Sequence, residues 1–542
     1  MYIKEVNIEN FKCFKGKFNL KLKQGLNILV GDNETGKSTI LEAIHLALTG
    51  LINGHYIKNE LSQNLFNNEV VAEYIKTAGT GAIPPYILIE VFIAGDELPS
   101  FEGDGNSEKK KECCVSMKIA FNDKYKGEYA EFIKGGNVKN IPTEYYEVEW
   151  NDCARGPITK STSVPIKSAL IDSSSYRYQN GSDIYISYIL RNHLENEDMV
   201  GISQTLRKMQ EFFLSETPIV NINTKIKNAT NISKKELKLS VDLTPKNAWE
   251  SSLMAYLDDV PFQQIGKGEQ CIIKTKLALS NGKSQYANLI LLEEPENHLS
   301  HTKLNQFIND IKDDCEGKQI VVTTHSSFVA NKLGLESLTL LKERKTIPLT
   351  ELSPDTYKFF EKIPGYDTLR LVLCKKAILV EGDSDELAVQ KAYLVSYKKL
   401  PIEDGLDVIS VGTSFLRFLE IAEKIDQQVI VVTDNDGDVN SLNKKYENYL
   451  GSKTKSKIKI CFSATVDTGP MINGSTFNYN TLEPKLLKVN SLEILNKVFG
   501  KQFKTDSELL TYMKGNKTEC ALAIFDTKES IKFPQYILNA IS

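Results

Sequence analysis

ILVEGDSDE, residues 378–386, sets four acids, Glu381, Asp383, Asp385 and Glu386, directly behind an apolar run. The run reads as a buried strand, and DELAVQKAYLV after it has helical spacing. Downstream, VIVVTDNDGD (429–438) is a second apolar strand that ends in Asp434, Asp436 and Asp438. In parallel α/β sheets functional groups gather outside the carboxyl ends of strands, so the two clusters can meet at one edge. Alternate residues of an extended segment face one side, which lets Asp434 and Asp436 share a ligand. Carboxylates brought this close repel unless cations neutralise them, and hard divalent ions with oxygen ligands answer that need. Two such ions can hold the attacking water and the leaving oxygen of a phosphodiester. Either cluster alone could be an acidic turn or a helix N-cap; both in this order favour metal.

Upstream lies a different kind of site. The strand LNILV (26–30) runs into GDNETGKS, Gly31 to Ser38, and then a helix. The pattern GxxxxGKS turns successive backbone N–H groups inward around phosphate oxygens, and the helix adds its positive N-terminus. Lys37 is placed to reach the β- and γ-phosphates and Ser38 to bind Mg²⁺, with Asn33, Gly36 and Thr39 completing the loop. LILLEEPENHL (289–299) is a strand ending in Glu293, expected to hold Mg²⁺, and Glu294, expected to polarise the attacking water. QIVVTTHS ends at His325, a candidate sensor of the γ-phosphate. Between them QIGKGEQ contributes Gly266, Lys267 and Gly268; Gln63 is a weak candidate for a further nucleotide contact.

The bulk properties agree with a multidomain globular protein. A chain of 542 residues exceeds one hydrophobic core. Hydrophobic residues make up 41% and charged residues 25%, and the net charge of −4 excludes bulk basicity as the basis of nucleic-acid binding. Nine cysteines without a CxxC pair suggest neither a zinc ribbon nor a disulfide framework, so reduced thiols in the cytoplasm are expected. No apolar run approaches the roughly 18 residues of a membrane span. Strands are expected at 2–9, 86–93, 144–150 and 236–243, and a polar loop at 95–112. Residues 183–214 have helical spacing without a nucleotide motif.

Taken together, GDNETGKS, IGKGEQ, LLEEPENHL and VVTTHS resemble the ATP-binding cassette (ABC) ATPases of the SMC and RecF type. ILVEGDSDE, VGTSF (with Gly412 and Ser414) and VVTDNDGD resemble a Toprim domain. An ATPase of that type followed by Toprim is similar to the overcoming-lysogenization-defect (OLD) family nucleases, which include the Gabija nuclease subunit and retron-associated effectors. The resemblance implies an α/β fold. An ABC ATPase domain (1–170 and 236–350) is interrupted by a helical insertion suited to dimerisation (171–235). A linker (351–374) then leads to a Toprim domain (375–542).

The resemblance also assigns roles. Glu381, Asp385, Asp434 and Asp436 fall on the family's catalytic acids, TLEPKLL offers Glu483 as a later one, and KTECALAIFD offers Lys517 to stabilise transition-state charge. It implies ATP with one Mg²⁺ and two Mg²⁺ or Mn²⁺ ions in the Toprim site. It implies DNA as substrate, a dimer or tetramer, a role in phage defence, and a helicase or a retron reverse transcriptase with its RNA and DNA as partners. No membrane partner is implied. The family's signature normally has Ser where Gly266 stands, and Lys267 interrupts its glycines. Closure of an ATP sandwich is then weak, or Lys267 replaces the lost contact, and ATP can regulate instead of fuelling each cut. Two rivals remain: a RecF- or SMC-like clamp that binds DNA without cutting it, and a topoisomerase, for which no segment supplies a nucleophilic tyrosine domain. Lys444, Lys445, Lys453, Lys455, Lys457 and Lys459 form either a solvated face or a phosphate track.

Overall fold

The protein was analysed as a computed structural model. It describes residues 1–542 apart from 33, 79–82, 96–97, 135–137, 173–177, 180–181, 184–195, 230–238, 240–255, 281–287, 314–316, 327–328, 330–336, 343, 349–351, 363–369, 372–373, 454 and 473. The chain divides into two compact units, one of Met1–Leu29 with Gly36–Thr324, the other of Val30–Thr35 with His325–Ser542.

In the first unit, β1 (Tyr2–Glu9), β2 (Lys17–Lys21), β4 (Ile87–Ala94), β5 (Glu112–Phe121) and β6 (Tyr146–Asp152) form an antiparallel sheet in the order β2-β1-β4-β5-β6. β1 buries Ile3, Val6, Asn7 and Ile8, and a bulge between Ile3 and Glu5 shifts its register against β4. β5 begins inside the stretch read as a polar loop. Its apolar residues start only at Cys113, behind a run of lysines that dominates the local composition. A second sheet orders β7 (Ser168–Asp172), β8 (Leu289–Glu293), β9 (Gln319–Thr324) and β3 (Leu26–Val30). β7, β8 and β9 run parallel, with Asp172, Glu293 and Thr323 in register at their carboxyl ends. All six residues of β9 are buried, which is why it lacks alternation. α1 (Lys37–Thr49) packs its Ile40, Leu41, Ile44 and Leu48 inward and ends at Gly50 in the left-handed region (φ +71°).

The insertion contains the helices α2 (Asn196–Ser215) and α3 (Thr217–Ala229). They expose Val200, Met209, Phe212, Phe213 and Val220. Helical spacing was expected from 183, but Ser182–Asp183 pairs as a short strand with Tyr178–Gln179. The strand expected at 236–243 lies outside the described residues apart from Leu239. One cysteine expectation is overturned: Cys114 and Cys153 form a disulfide between β5 and the turn after β6, where both are fully buried. Sequence separation of 39 hides this pairing, which sheet register creates.

The second unit opens with the hairpin β10 (Leu338–Lys342) and β11 (Lys345–Pro348). The expected linker includes a helix, α5 (Pro354–Lys362), started by Pro354 at its first position. A parallel sheet follows, in the order β13 (Leu406–Ser410), β12 (Lys376–Val380), β14 (Gln428–Val432), β15 (Ile458–Cys461). α6 (Asp383–Tyr397), α7 (Phe415–Lys424) and α8 (Val439–Lys445) connect its strands. A C-terminal helical group, α9 (Leu482–Val489), α10 (Leu492–Phe499), α11 (Asp506–Gly515), α12 (Lys517–Asp526) and α13 (Gln535–Ile541), shares one core with α6 and the sheet. Strand order 2-1-3-4 makes β12 and β14 neighbours, so the two acidic strand ends lie side by side. Among the described residues no helix is long and apolar enough to cross a membrane.

Candidate functional site

The phosphate loop is built by backbone. Gly36 takes φ +100°, and a Cβ there would stand 2.7 Å from the Phe14 ring and 2.9 Å from Cys13 Sγ, so glycine is required. Glu34 adopts φ +67°, and Thr35 Oγ1 donates to the Asp32 carbonyl at 2.8 Å. Asn33 lies outside the described residues. Lys37 opens α1 and is buried, Ser38 is exposed, and Thr39 accepts the Cys13 thiol, which turns it toward the core. The N-terminus of α1 suits a phosphate.

At the carboxyl end of β8, Glu294 is held at φ +41° while its N–H donates to the Thr323 carbonyl at 2.9 Å. Its carboxylate accepts from Asn297 Nδ2 at 3.0 Å. A non-glycine residue in that region is strained, and strain concentrates where a side chain must be aimed. Glu293 is half-buried at the end of β8, and His325 is exposed directly after β9. The signature glycines differ from one another. A Cβ on Gly268 would meet the His298 carbonyl at 2.4 Å, so the start of α4 (Lys267–Ser280) packs on the PENHL turn only without a side chain. Gly266 has nothing within 4 Å of a Cβ position among the described residues. Gln270 Nε2 closes the turn onto the Ile265 carbonyl at 2.8 Å. Gln63 accepts the Ile141 N–H at 2.8 Å, an architectural bond within the unit.

The acids of 378–386 separate into different tasks. Asp385 caps α6, accepting the Gly382 N–H at 3.1 Å, and points toward Glu381 and Glu483. Glu386 instead faces Arg370 at 3.6 Å, which is also paired with Asp407 at 2.7 Å, and Asp383 is exposed. From β14, Asp434 accepts the Leu482 N–H on Oδ2 at 3.1 Å and the Tyr536 hydroxyl on Oδ1 at 3.2 Å. Asp436 is in the left-handed region (φ +47°) and accepts from Asn478 Nδ2 at 3.0 Å. β14 has already ended at Val432, so the expected extended alternation does not bring Asp436 to the site. A turn does, and the Asp436 charge acts on both Glu381 and Asp434. Asp438 lies apart as the N-cap of α8. Both its oxygens are taken by Ser441, whose bonds hold its carboxyl below the usual range.

Glu483, in the first turn of α9, and Lys517, the first residue of α12, meet at 3.3 Å. Glu483 is buried and also accepts from Thr481 Oγ1 at 3.0 Å. Gly412 is exposed at φ +60° ahead of α7, and Ser414 is its N-cap. The lysines beyond Asp438 are largely engaged locally. Lys455 pairs with Glu423, Lys457 with Asp426 at 2.5 Å, and Lys459 donates to the Asn539 carbonyl. Lys445 lies 5.5 Å over the Phe415 ring.

The electrostatics of the acid cluster are unusual. Burial, then the charges of Glu381 and Glu483, push the Asp385 carboxyl up to about 7. Burial, then Asp385, Glu381, Glu483 and Asp436, push Asp434 well above the carboxylate range. Burial and Asp436 also raise Glu381, against Lys445 and Lys517. Burial would lower the Lys517 ammonium, but Glu483, Asp385 and Asp434 outweigh it and hold it above its ordinary value. Among the described residues no three carboxylates close on one point as ready ligands. Mutual repulsion turns them instead to Leu482, Tyr536, Gly382 and Lys517. Oxygen donors whose like charges repel fit a hard divalent cation, which would displace the protons that the raised carboxyls hold. Sequence reasoning did not single out Tyr536, Asn478 or Arg370. Their partners are 102, 42 and 37 residues away and leave no local pattern.

Comparison with known proteins gives two family matches. The family profile described as AAA domain (AAA_23) matches residues 5–316. The profile described as overcoming lysogenization defect protein-like, TOPRIM domain, matches residues 372–436. Endonuclease GajA of Bacillus cereus (strain HuB5-5) is 21% identical, over 91% of this chain and 84% of that protein. OLD nuclease of Thermus scotoductus (strain ATCC 700910 / SA-01) is 22% identical, over 80% of this chain and 82% of the relative. Among solved structures, an SMC head bound to the C-winged helix domain of ScpA is 14% identical, with a TM-score of 0.34. That match covers 64% of this chain and 98% of that one.

Proposed function

The chain belongs to the AAA-domain family AAA_23 and carries an OLD-like Toprim domain behind it, and from that premise we propose that it is an ATP-binding, divalent-metal-dependent DNA endonuclease. The observation that carries this reading is the gathering of Glu381, Asp385, Asp434 and Glu483 beside Lys517, with three carboxyls raised by burial and repulsion.

Glu381, Asp385, Asp434 and Asp436, with Glu483, would hold Mg²⁺ or Mn²⁺, one or two ions. Such ions supply an activated water and neutralise charge on the phosphodiester. Lys517 Nζ, half-exposed and tied to Glu483 on one side, is free to turn toward a phosphoryl oxygen and stabilise charge that grows there. Glu483 in turn fixes where that ammonium waits. Asp385, anchored by the Gly382 N–H, keeps its carboxyl aimed at the cluster. Asp438, occupied as a helix cap, is left out of this set.

In the other unit, Lys37, Ser38 and the N-terminus of α1 would bind ATP phosphates, with Glu293 toward the accompanying Mg²⁺ and Glu294 toward the γ-phosphate. Gly266 has no side chain to offer, so a signature contact across a dimer lacks a hydroxyl. ATP binding then regulates cleavage more than it drives each cut. The exposed Met209, Phe212 and Phe213 of α2 support homo-oligomerisation through the insertion. A role in phage defence is part of this proposal, as the resemblance to the overcoming-lysogenization-defect family implies.

The test is plasmid cleavage by the full chain with Mg²⁺, Mn²⁺ or EDTA, with and without ATP, beside Asp434→Ala. Metal-dependent cutting that falls by about 10³-fold in the variant is expected. DNA binding without cutting under every condition would return the chain to a RecF- or SMC-like clamp.

A further inference from the structure

Tyr536 sits at the second position of α13, behind Pro534, with 6% of its surface exposed. Its ring belongs to the core that joins the C-terminal helices to Val432 at the end of β14. Packing alone does not call for the hydroxyl, because phenylalanine would fill the same space. A buried phenol needs a hydrogen-bond partner, and here that partner is Asp434 Oδ1 at 3.2 Å. The other oxygen of the same carboxylate accepts the Leu482 N–H at 3.1 Å. One donor on each oxygen fixes both side-chain torsions of Asp434. Each carboxylate oxygen has two lone-pair directions, so one per oxygen stays open. Unlike Lys517, a neutral phenol restrains the carboxylate without competing as a cation for its charge.

We propose that Tyr536 is a positioning residue of the acid centre, holding Asp434 so that its remaining lone pairs face a divalent cation. This rests on the metal-dependent reading of the site. It makes the last helix of the chain part of the centre, although 102 residues separate the two partners. Outer groups that orient a metal ligand typically account for about ten- to hundredfold in metal affinity.

The experiment measures Mn²⁺ binding by electron paramagnetic resonance on the full-length protein, together with the Mn²⁺ requirement for cleavage and the melting midpoint. Four proteins are compared with wild type: Tyr536→Phe, Tyr536→Leu, Ile537→Ala and Asp434→Ala. Tyr536→Phe is expected to bind Mn²⁺ about ten- to hundredfold more weakly, melt near wild type, and recover most cleavage at saturating metal. Tyr536→Leu is expected to show the same metal loss with a lower midpoint. Ile537→Ala, a cut in the same core without the hydroxyl, is expected to lower the midpoint and leave Mn²⁺ affinity alone. Wild-type affinity in Tyr536→Phe overturns the proposal, as does an equal loss in Ile537→Ala, which would reduce the effect to packing. Equal Mn²⁺ binding by wild type and Asp434→Ala would instead remove the metal reading itself, and the proposal with it.

Discussion

The two sites of this chain are made from different materials. The proposed phosphate loop is a contiguous stretch of main chain in which Gly36 at φ +100° and the start of α1 would supply the binding groups. The acid centre is side chain, with Glu381, Asp434, Glu483 and Lys517 arriving from four segments. A backbone cradle is neutral, so it forms without opposing its own assembly. A carboxylate cluster resists assembly by repulsion and is tolerated because hydrogen bonds, one lysine and protons hold it together. The first site is therefore sensitive to steric intrusion, and the second to charge and proton concentration.

Removing the lysine that pairs with Glu483 should break the second site without touching the first. Lys517→Ala is expected to lower metal-saturated DNA cleavage by about 10²–10³-fold. Equilibrium binding of a fluorescent ATP analogue should stay at the wild-type value. Equal losses in both assays would mean the two sites are not separable in this way.

The pH response sharpens the contrast. Asp385 in the folded, metal-free protein titrates near 7, above its unfolded value, and Asp434 is raised in the same direction. A carboxyl raised on folding binds its proton more tightly in the native state, so its contribution to stability is present at low pH and is lost as pH rises through about 7. Metal-free protein should therefore melt at a higher temperature at pH 5.5 than at pH 8, by calorimetry, and Asp385→Asn should flatten that difference. Mn²⁺ affinity should run the opposite way, weakening by about tenfold per unit below pH 7 as protons compete. A metal affinity independent of pH between 5.5 and 7 would contradict the raised carboxyls of Asp385 and Asp434.

Smaller effects are expected at the two signature glycines. Gly268→Ala drives a methyl against the His298 carbonyl and should cost about 1–3 kcal/mol in denaturant unfolding of the N-terminal unit. Gly266→Ser meets nothing within 4 Å of its Cβ among the described residues and should leave stability unchanged while raising ATP turnover, if the missing hydroxyl limits it. A serine that destabilises as much as the alanine would show that Gly266 is also sterically confined.

The same contrast explains what could be read from the chain. β3, the loop and α1 are contiguous, so their spacing alone exposes them. The strands behind Glu381 and Asp434 are legible as apolar runs, and the short contexts around Glu483 and Lys517 lead to side chains that meet at 3.3 Å. What lies between the acids is not legible. Asp436 reaches the cluster through a left-handed turn that no alternation signals, and Asp438 looks identical in sequence yet caps α8. Glu386 looks equivalent to Asp385 but answers to Arg370. Tyr536, Asn478 and the Cys114–Cys153 disulfide depend on register across sheet and helices, which periodicity within one segment cannot carry.

The most direct measurement is Mn²⁺ anomalous diffraction from crystals of the full chain soaked at pH 8. The expected map has one or two peaks among Glu381, Asp385, Asp434 and Glu483, lost in Asp434→Ala. Crystals of a cleavage-competent protein with no peak among these carboxylates would contradict the claim that they are its metal centre.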